Sequence, residues 1–257
     1  MNRDRAIDAF NKVPEVTLAF WIIKICATTV GETGGDALSM TLKLGYAVST
    51  LIFLGFFVVT LGAEVAAKKY HPFLYWAVVV STTTVGTTTS DYLDRTLKLG
   101  YVKSSIILFC GVLLVLFIWR RTTGKIEFET ITTSTNEAFY WVTILVSNTL
   151  GTALGDFVAT TTGLGFQRGA LVFAALLAIV AAAHFFTSIP KNILFWSAYV
   201  LTRPLGATLG DTLTKPHADG GLALSRITSS LVIAVAMVIA VLLTDRKEKK
   251  KLAALAE

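Results

Sequence analysis

The chain has 257 residues, of which 54% are hydrophobic and only 16% charged, and its mean hydropathy is +0.65. A soluble domain of this size carries more charge and fewer long apolar runs, so the composition excludes one and points to an integral membrane protein. The formal net charge of +6 reads as membrane topology and not as nucleic-acid binding, because the basic residues gather in connections and at the termini.

In chain order, the opening MNRDRAIDAFNKVPE is too polar for a secretory signal, so segment 14–33 is expected to be a retained first helix. Four clearly apolar segments follow at 45–67, 101–119, 169–186 and 222–244, each long enough for a hydrocarbon core that takes ~20 helical residues. Less apolar segments alternate with them at 14–33, 72–89, 138–154 and 189–209. The expectation is an all-α membrane protein of eight transmembrane helices: residues 14–119 form one half, 120–137 a polar cytoplasmic linker with a short strand or amphipathic piece, and 138–244 a second half. Residues 245–257 form a basic tail whose KLAALAE end resembles a vector-derived scar. With both termini on one side, that side holds 14 of the 23 Lys and Arg and the opposite connections hold 7, which places the termini in the cytoplasm. Cys26 and Cys110 lie in apolar segments and read as packing residues, not as a disulfide.

One pattern recurs four times without a gap. An aromatic-Trp pair ends at Trp21, Trp76, Trp141 and Trp196; a glycine stands ten residues later at Gly31, Gly86, Gly151 and Gly206; an aspartate stands fifteen later at Asp36, Asp91, Asp156 and Asp211. Trp-to-Trp spacings of 55, 65 and 55 give two halves of two repeats, and TLKLGY occurs at both 41–46 and 96–101, with TTGLGF at 161–166. A fixed-period repeat reports a repeated structural unit. Each unit has two spans, so all four enter the membrane in the same direction, as four parallel hairpins about a pseudo-fourfold axis along the membrane normal. The Trp-bearing helices then surround the axis and the more apolar ones face lipid. By helical rise the glycine lies about 15 Å, and the aspartate about 22 Å, beyond an aromatic belt formed by the tryptophans. Gly35, Ser90, Gly155 and Gly210, one turn after the repeat glycines, complete a small-xxx-small pattern that either packs helices closely or lets the helix break and expose carbonyls.

Offsets of eight, eleven and fifteen from each Trp share one helical face. They give Thr29, Glu32 and Asp36; Thr84, Thr87 and Asp91; Thr149, Thr152 and Asp156; and Pro204, Ala207 and Asp211, bordered at Trp+7 by Thr28, Thr83, Asn148 and Arg203. A carboxylate within an apolar segment is costly and marks function. An isolated aspartate reads as a helix-end residue bonding loop amides, whereas four in one register read as a shared site. Oxygen-rich sites suit hard divalent cations, so Glu32, Asp36, Asp91, Asp156 and Asp211 are the candidate metal ligands; soft metals would ask for thiolate or imidazole. The histidines, His71, His184 and His217, lie at or near helix ends. Lys24 is expected to snorkel to the cytoplasmic interface, and Arg203 to pair with Glu32 or Asp211, or else to bind an anion.

The chain resembles a bacterial family of integral membrane proteins with four tandem two-helix repeats, each with a characteristic tryptophan, and the resemblance spans residues 14–244. It is carried by FW or YW followed by T-x-x-G or L-G, at Trp21, Trp76, Trp141 and Trp196. The fourth copy departs from it with Arg203-Pro204. Some members are described as membrane-anchored regulators of amylopullulanase, and the resemblance implies fold and topology, in the bacterial plasma membrane, without a substrate. Three functions follow as expectations. The first is a transporter or exporter of a small ion, above all a divalent metal cation exchanged for protons, with the cation as substrate and no resident cofactor. The second is a transporter of a small organic or anionic solute using Arg203. The third is a non-transporting regulator, although the longest polar connection, about 18 residues, is too short for a folded module. No phosphate loop, His-rich cluster or nucleophile motif suggests an enzyme, and the expected partners are membrane lipid and the transported ion, not nucleic acid.

Overall fold

The computed structural model describes residues 14–67, 69–126, 131 and 133–254. Among the described residues every regular element is helical: α1 Leu18–Asp36, α2 Gly45–Ala66, α3 Pro72–Asp91, α4 Tyr101–Thr123, α5 Ser134–Asp156, α6 Gly165–Phe186, α7 Lys191–Thr214 and α8 Arg226–Ala254. The ends fall where the sequence supplies caps. Thr17 accepts the Phe20 N–H and Thr133 that of Asn136. Pro72 occupies the first turn of α3, and left-handed Gly124 stops α4, with Arg120 and Arg121 in its last turn. These caps lengthen α4 and α5 and shrink the expected 120–137 linker. Residues 127–130 and 132, where a short strand was expected, lie outside the described residues, as do 1–13 and 255–257. The basic tail continues α8 as helix as far as Ala254.

The recurring TLKLGY and TTGLGF segments are turns. Lys43, Lys98 and Gly163 hold φ of 58°, 57° and 73°, and Gly45, Gly100 and Gly165 hold φ of 75° to 76° two residues on. Before each turn the inner helix widens into one π-helical turn, Ala37–Thr41, Tyr92–Thr96 and Phe157–Thr161. The fourth repeat lacks this turn: α7 runs on to Thr214, and its extra residues form a short 3₁₀ turn, His217–Asp219.

The odd-numbered helices close a ring, α1 on α3, α3 on α5, α5 on α7, and α7 back on α1. The even-numbered helices lie outside, each handed on to the following repeat: α2 covers α3, α4 covers α5, α6 covers α7, and α8 returns to cover α1. The expected hairpins are therefore open, because the wide turn after each aspartate carries the outer helix past its own partner. Ser230 on α8 donates to Thr33 on α1 at 2.8 Å across the closing contact. Five helices, α2, α4, α5, α6 and α8, are long and apolar enough to cross a membrane; the most apolar stretch of each outer helix is only 17–22% buried, against 67% in α5. Helices α1, α3 and α7 are less apolar, and their polar residues turn into the ring.

Aromatic side chains close one end of the ring. Phe20 packs on Trp76, Tyr75 on Trp141, Tyr140 on Trp196 and Phe195 on Trp21, at centroid separations of 5.5, 5.7, 6.2 and 5.7 Å. Each repeat tryptophan thus locks onto the preceding repeat, instead of standing in a lipid-facing belt, and Trp76 and Trp141 are almost fully buried. The repeat glycines sit at the next close approach. A methyl group on Gly31 would collide with Thr83, on Gly151 with the Arg203 stem, and on Gly206 with Thr28, while on Gly86 it would press on the Asn148 backbone. All four lie within unbroken helix, so the structure takes the packing alternative and not the helix break.

Candidate functional site

Stepping by four from the girdle aromatics gives the residues that face the axis. Four residues turn an α-helix by 400°, so this face winds slowly round each helix and departs from a straight stripe at Trp+8. The Trp+3 layer is Lys24, Val79, Ile144 and Tyr199; the Trp+7 layer is Thr28, Thr83, Asn148 and Arg203; the Trp+11 layer is Glu32, Thr87, Thr152 and Ala207. All twelve are buried. Thr29, Thr84 and Thr149 at Trp+8 are buried too, but their hydroxyls donate back to Ile25, Val80 and Leu145 of their own helices.

Arg203 ties the four repeats together. Its Nη2, with two N–H groups to donate, lies within hydrogen-bonding distance of Glu32 Oε2 of the first repeat at 3.0 Å, Thr87 Oγ1 of the second at 2.5 Å and Thr152 Oγ1 of the third at 2.6 Å, with the Thr83 carbonyl at 3.4 Å. Thr87 also donates to Glu32 Oε2 at 3.1 Å. Asn148 donates to Thr82 Oγ1 at 3.0 Å. Of the two partners expected for Arg203, Glu32 is the one that pairs with it. The pair is almost fully buried, where a charge without its partner is expensive. Arg203 Nε and Nη1 have no hydrogen-bond partner among the described residues.

Lys24 corrects the sequence reading. It is 0% exposed, so it does not snorkel. Its ammonium lies 4.1 Å from the Tyr199 ring centroid and has no hydrogen-bond acceptor among the described residues. The cause is the four-residue step, which turns Trp+3 to the axis.

Beyond Glu32 the four aspartates gather in pairs around basic residues. Arg95 bonds Asp91 through Nε at 2.8 Å and reaches Asp156 through Nη2 at 3.4 Å. Lys215 lies 2.7 Å from Asp36 and 3.1 Å from Asp211, with Arg226 Nε 3.5 Å from Asp36. Arg95 and Lys215 are equivalent, each nineteen residues after its Trp and four after its Asp, and each links its own repeat to the next; Met40 and Thr160 hold that position in the other two repeats. The i,i+4 spacing of acid and base was a readable signal for these two cations. Asp36 Oδ1 and Asp156 Oδ1 lack a hydrogen-bond partner among the described residues. Also among the described residues, no group of three or more His, Cys, Asp or Glu side chains is placed to hold a metal ion. The five expected metal ligands are spread over the Arg203 pair and the two aspartate pairs.

Four successive matches to a family model described as a Repeat of Unknown Function (DUF347) cover residues 19–70, 74–125, 139–189 and 194–250, and the chain belongs to that family. Each match takes in one inner and one outer helix. No curated protein and no solved structure matches the chain.

Proposed function

We propose that this four-repeat protein is a multi-pass membrane transporter or exporter of a small ion, with all eight helices crossing the bilayer about a pseudo-fourfold axis and both termini cytoplasmic. The apolar, exposed outer helices support eight spans, since they shield inner helices too polar to face lipid alone. The excess of Lys and Arg on the terminal side supports the orientation. One observation carries the transport reading: the buried Arg203–Glu32 pair, on the axis and bonded to all four repeats. A structural ring needs no charge there, and intramembrane ionisable groups mark ion pathways. The girdle closes the axis on one side and the aspartate–cation pairs close it on the other, so the arrangement fits an occluded state.

A divalent cation as substrate would exchange for Arg95 or Lys215 at the aspartate pairs, where Asp36 Oδ1 and Asp156 Oδ1 stand ready as oxygen ligands. An anionic solute would instead use the open edge of Arg203. Uptake into proteoliposomes, measured across Mn, Mg, Ca, Zn, Cu, chloride, nitrate and small organic anions, separates these readings. Flux of a cation slowed by Asp91→Asn and Asp156→Asn supports the first, and anion flux indifferent to them supports the second. Folded protein that moves no ion at all overturns the transport reading.

A further inference from the structure

We propose that the interior of the ring, between Lys24 and Arg203, binds a small monovalent anion. The inference rests on the transport reading for its purpose, but its evidence is a charge and donor inventory. Across the Trp+3, Trp+7 and Trp+11 layers stand two cations, Lys24 and Arg203, and one carboxylate, Glu32; the remaining nine side chains are neutral. Glu32 is committed to Arg203. Arg203 carries the same sign of charge as Lys24 and is no counter-ion for it. With Lys24 protonated the surplus is one buried positive charge, which is costly without a counter-charge, so a bound anion is what would keep the proton on.

Donors are in surplus as well. A guanidinium carries five N–H groups and an ammonium three. Nη2 of Arg203 meets Glu32, Thr87 and Thr152, whereas Nε, Nη1 and the Lys24 Nζ meet no acceptor among the described residues. These unused donors share one stretch of the axis. Tyr199, under the Lys24 ammonium, lies one helical turn before Arg203 on α7, so the backbone positions that carry the two cations are ~6 Å apart in depth. An anion between them would meet donors from both. The surplus negative charge of the aspartate layer begins twelve residues beyond Lys24, ~18 Å by helical rise, and on the far side of Arg203. It cannot supply the missing acceptor. The occupant is small because the layers are filled by packed side chains, and monovalent because the surplus is one. The Tyr199 ring face steadies the ammonium from one side, as a cation–π contact can.

Purified full-length protein in nanodiscs, exchanged into a gluconate buffer free of small anions, is titrated with chloride, nitrate and formate, with sulfate as the divalent comparison, while thermal unfolding is followed. The expected result is saturable stabilisation by small monovalent anions, a Tm rise of roughly 3–6 °C at ten times Kd, and none from sulfate. Lys24→Gln should abolish the response and Lys24→Arg should keep it. Arg203 also ties the helices together, so Lys24 is the test position. Equal Tm values in chloride and gluconate, or a Lys24→Gln protein that responds like the wild type, would overturn the site. Saturable binding without flux of any ion in proteoliposomes supports the anion site while rejecting transport. Cation flux in a protein that shows no anion response rejects the site and keeps transport.

Discussion

The two ends of the ring are built on different repeats of the same plan. At the aromatic end all four copies contribute alike, and every Trp packs on the aromatic of the preceding repeat. At the aspartate end the acidic residue recurs four times, but its cation stands in only two copies, Arg95 and Lys215, each bridging two repeats. Between the ends lie groups with no copies, Lys24, Glu32 and Arg203. Sequence equality is kept where helices pack and lost where charge is placed. A packing contact must recur at every junction of a closed ring, whereas one buried charge on an axis has room for one partner.

The largest expected effect breaks the aromatic end. Trp76→Ala and Trp141→Ala should each cost about 3–5 kcal/mol of stability, read from unfolding of the purified protein in detergent. A large loss from one and none from the other would show that the girdle is not held equally by its junctions. Next come the glycines. Gly31→Ala and Gly206→Ala push a methyl group into the threonine of a neighbouring helix and should cost about 1–3 kcal/mol. Gly55→Ala and Gly62→Ala on the outer helix α2 meet nothing within 4 Å among the described residues and should be neutral, or stabilise by roughly 0.5–1 kcal/mol. Equal effects at the inner and outer sites would remove the close-approach argument. The smallest stability change belongs to the aspartate end. Arg95 is 32% exposed, so Arg95→Gln should cost on the order of 1 kcal/mol. It also leaves Asp91 and Asp156 without their shared cation, so the variant should unfold at a temperature that rises with added divalent cation more than the wild type's does.

Much of this was legible in the sequence. The Trp, Gly and Asp register marked the inner helices, and the alternating apolar segments marked the outer ones. That Arg203 would seek a carboxylate followed from the cost of a lone buried charge, but the choice of Glu32 over Asp211 did not. The handover of each outer helix to the next repeat was not legible, because an apolar segment such as 45–67 carries no mark of which inner helix it will cover. The tryptophans misled for a related reason: an aromatic near a span end suits a lipid interface as well as a junction between helices. Lys24 lies so close to Trp21 that its sequence position suits snorkelling, whereas the axial face, stepping by fours from Phe20, carries it inward. Arg95 and Lys215 are legible in the sequence through their four-residue spacing from Asp91 and Asp211.

The most direct test of the axial charge pair as part of a transport route is the double variant Glu32→Gln with Arg203→Gln, compared with wild type by solid-supported-membrane electrophysiology on proteoliposomes. Removing both charges leaves neither partner stranded, so the ring should stay folded with a Tm close to that of the wild type. The account predicts an ion-jump current from wild-type protein and its loss in the folded double variant. A double variant that is folded and carries the wild-type current would contradict it.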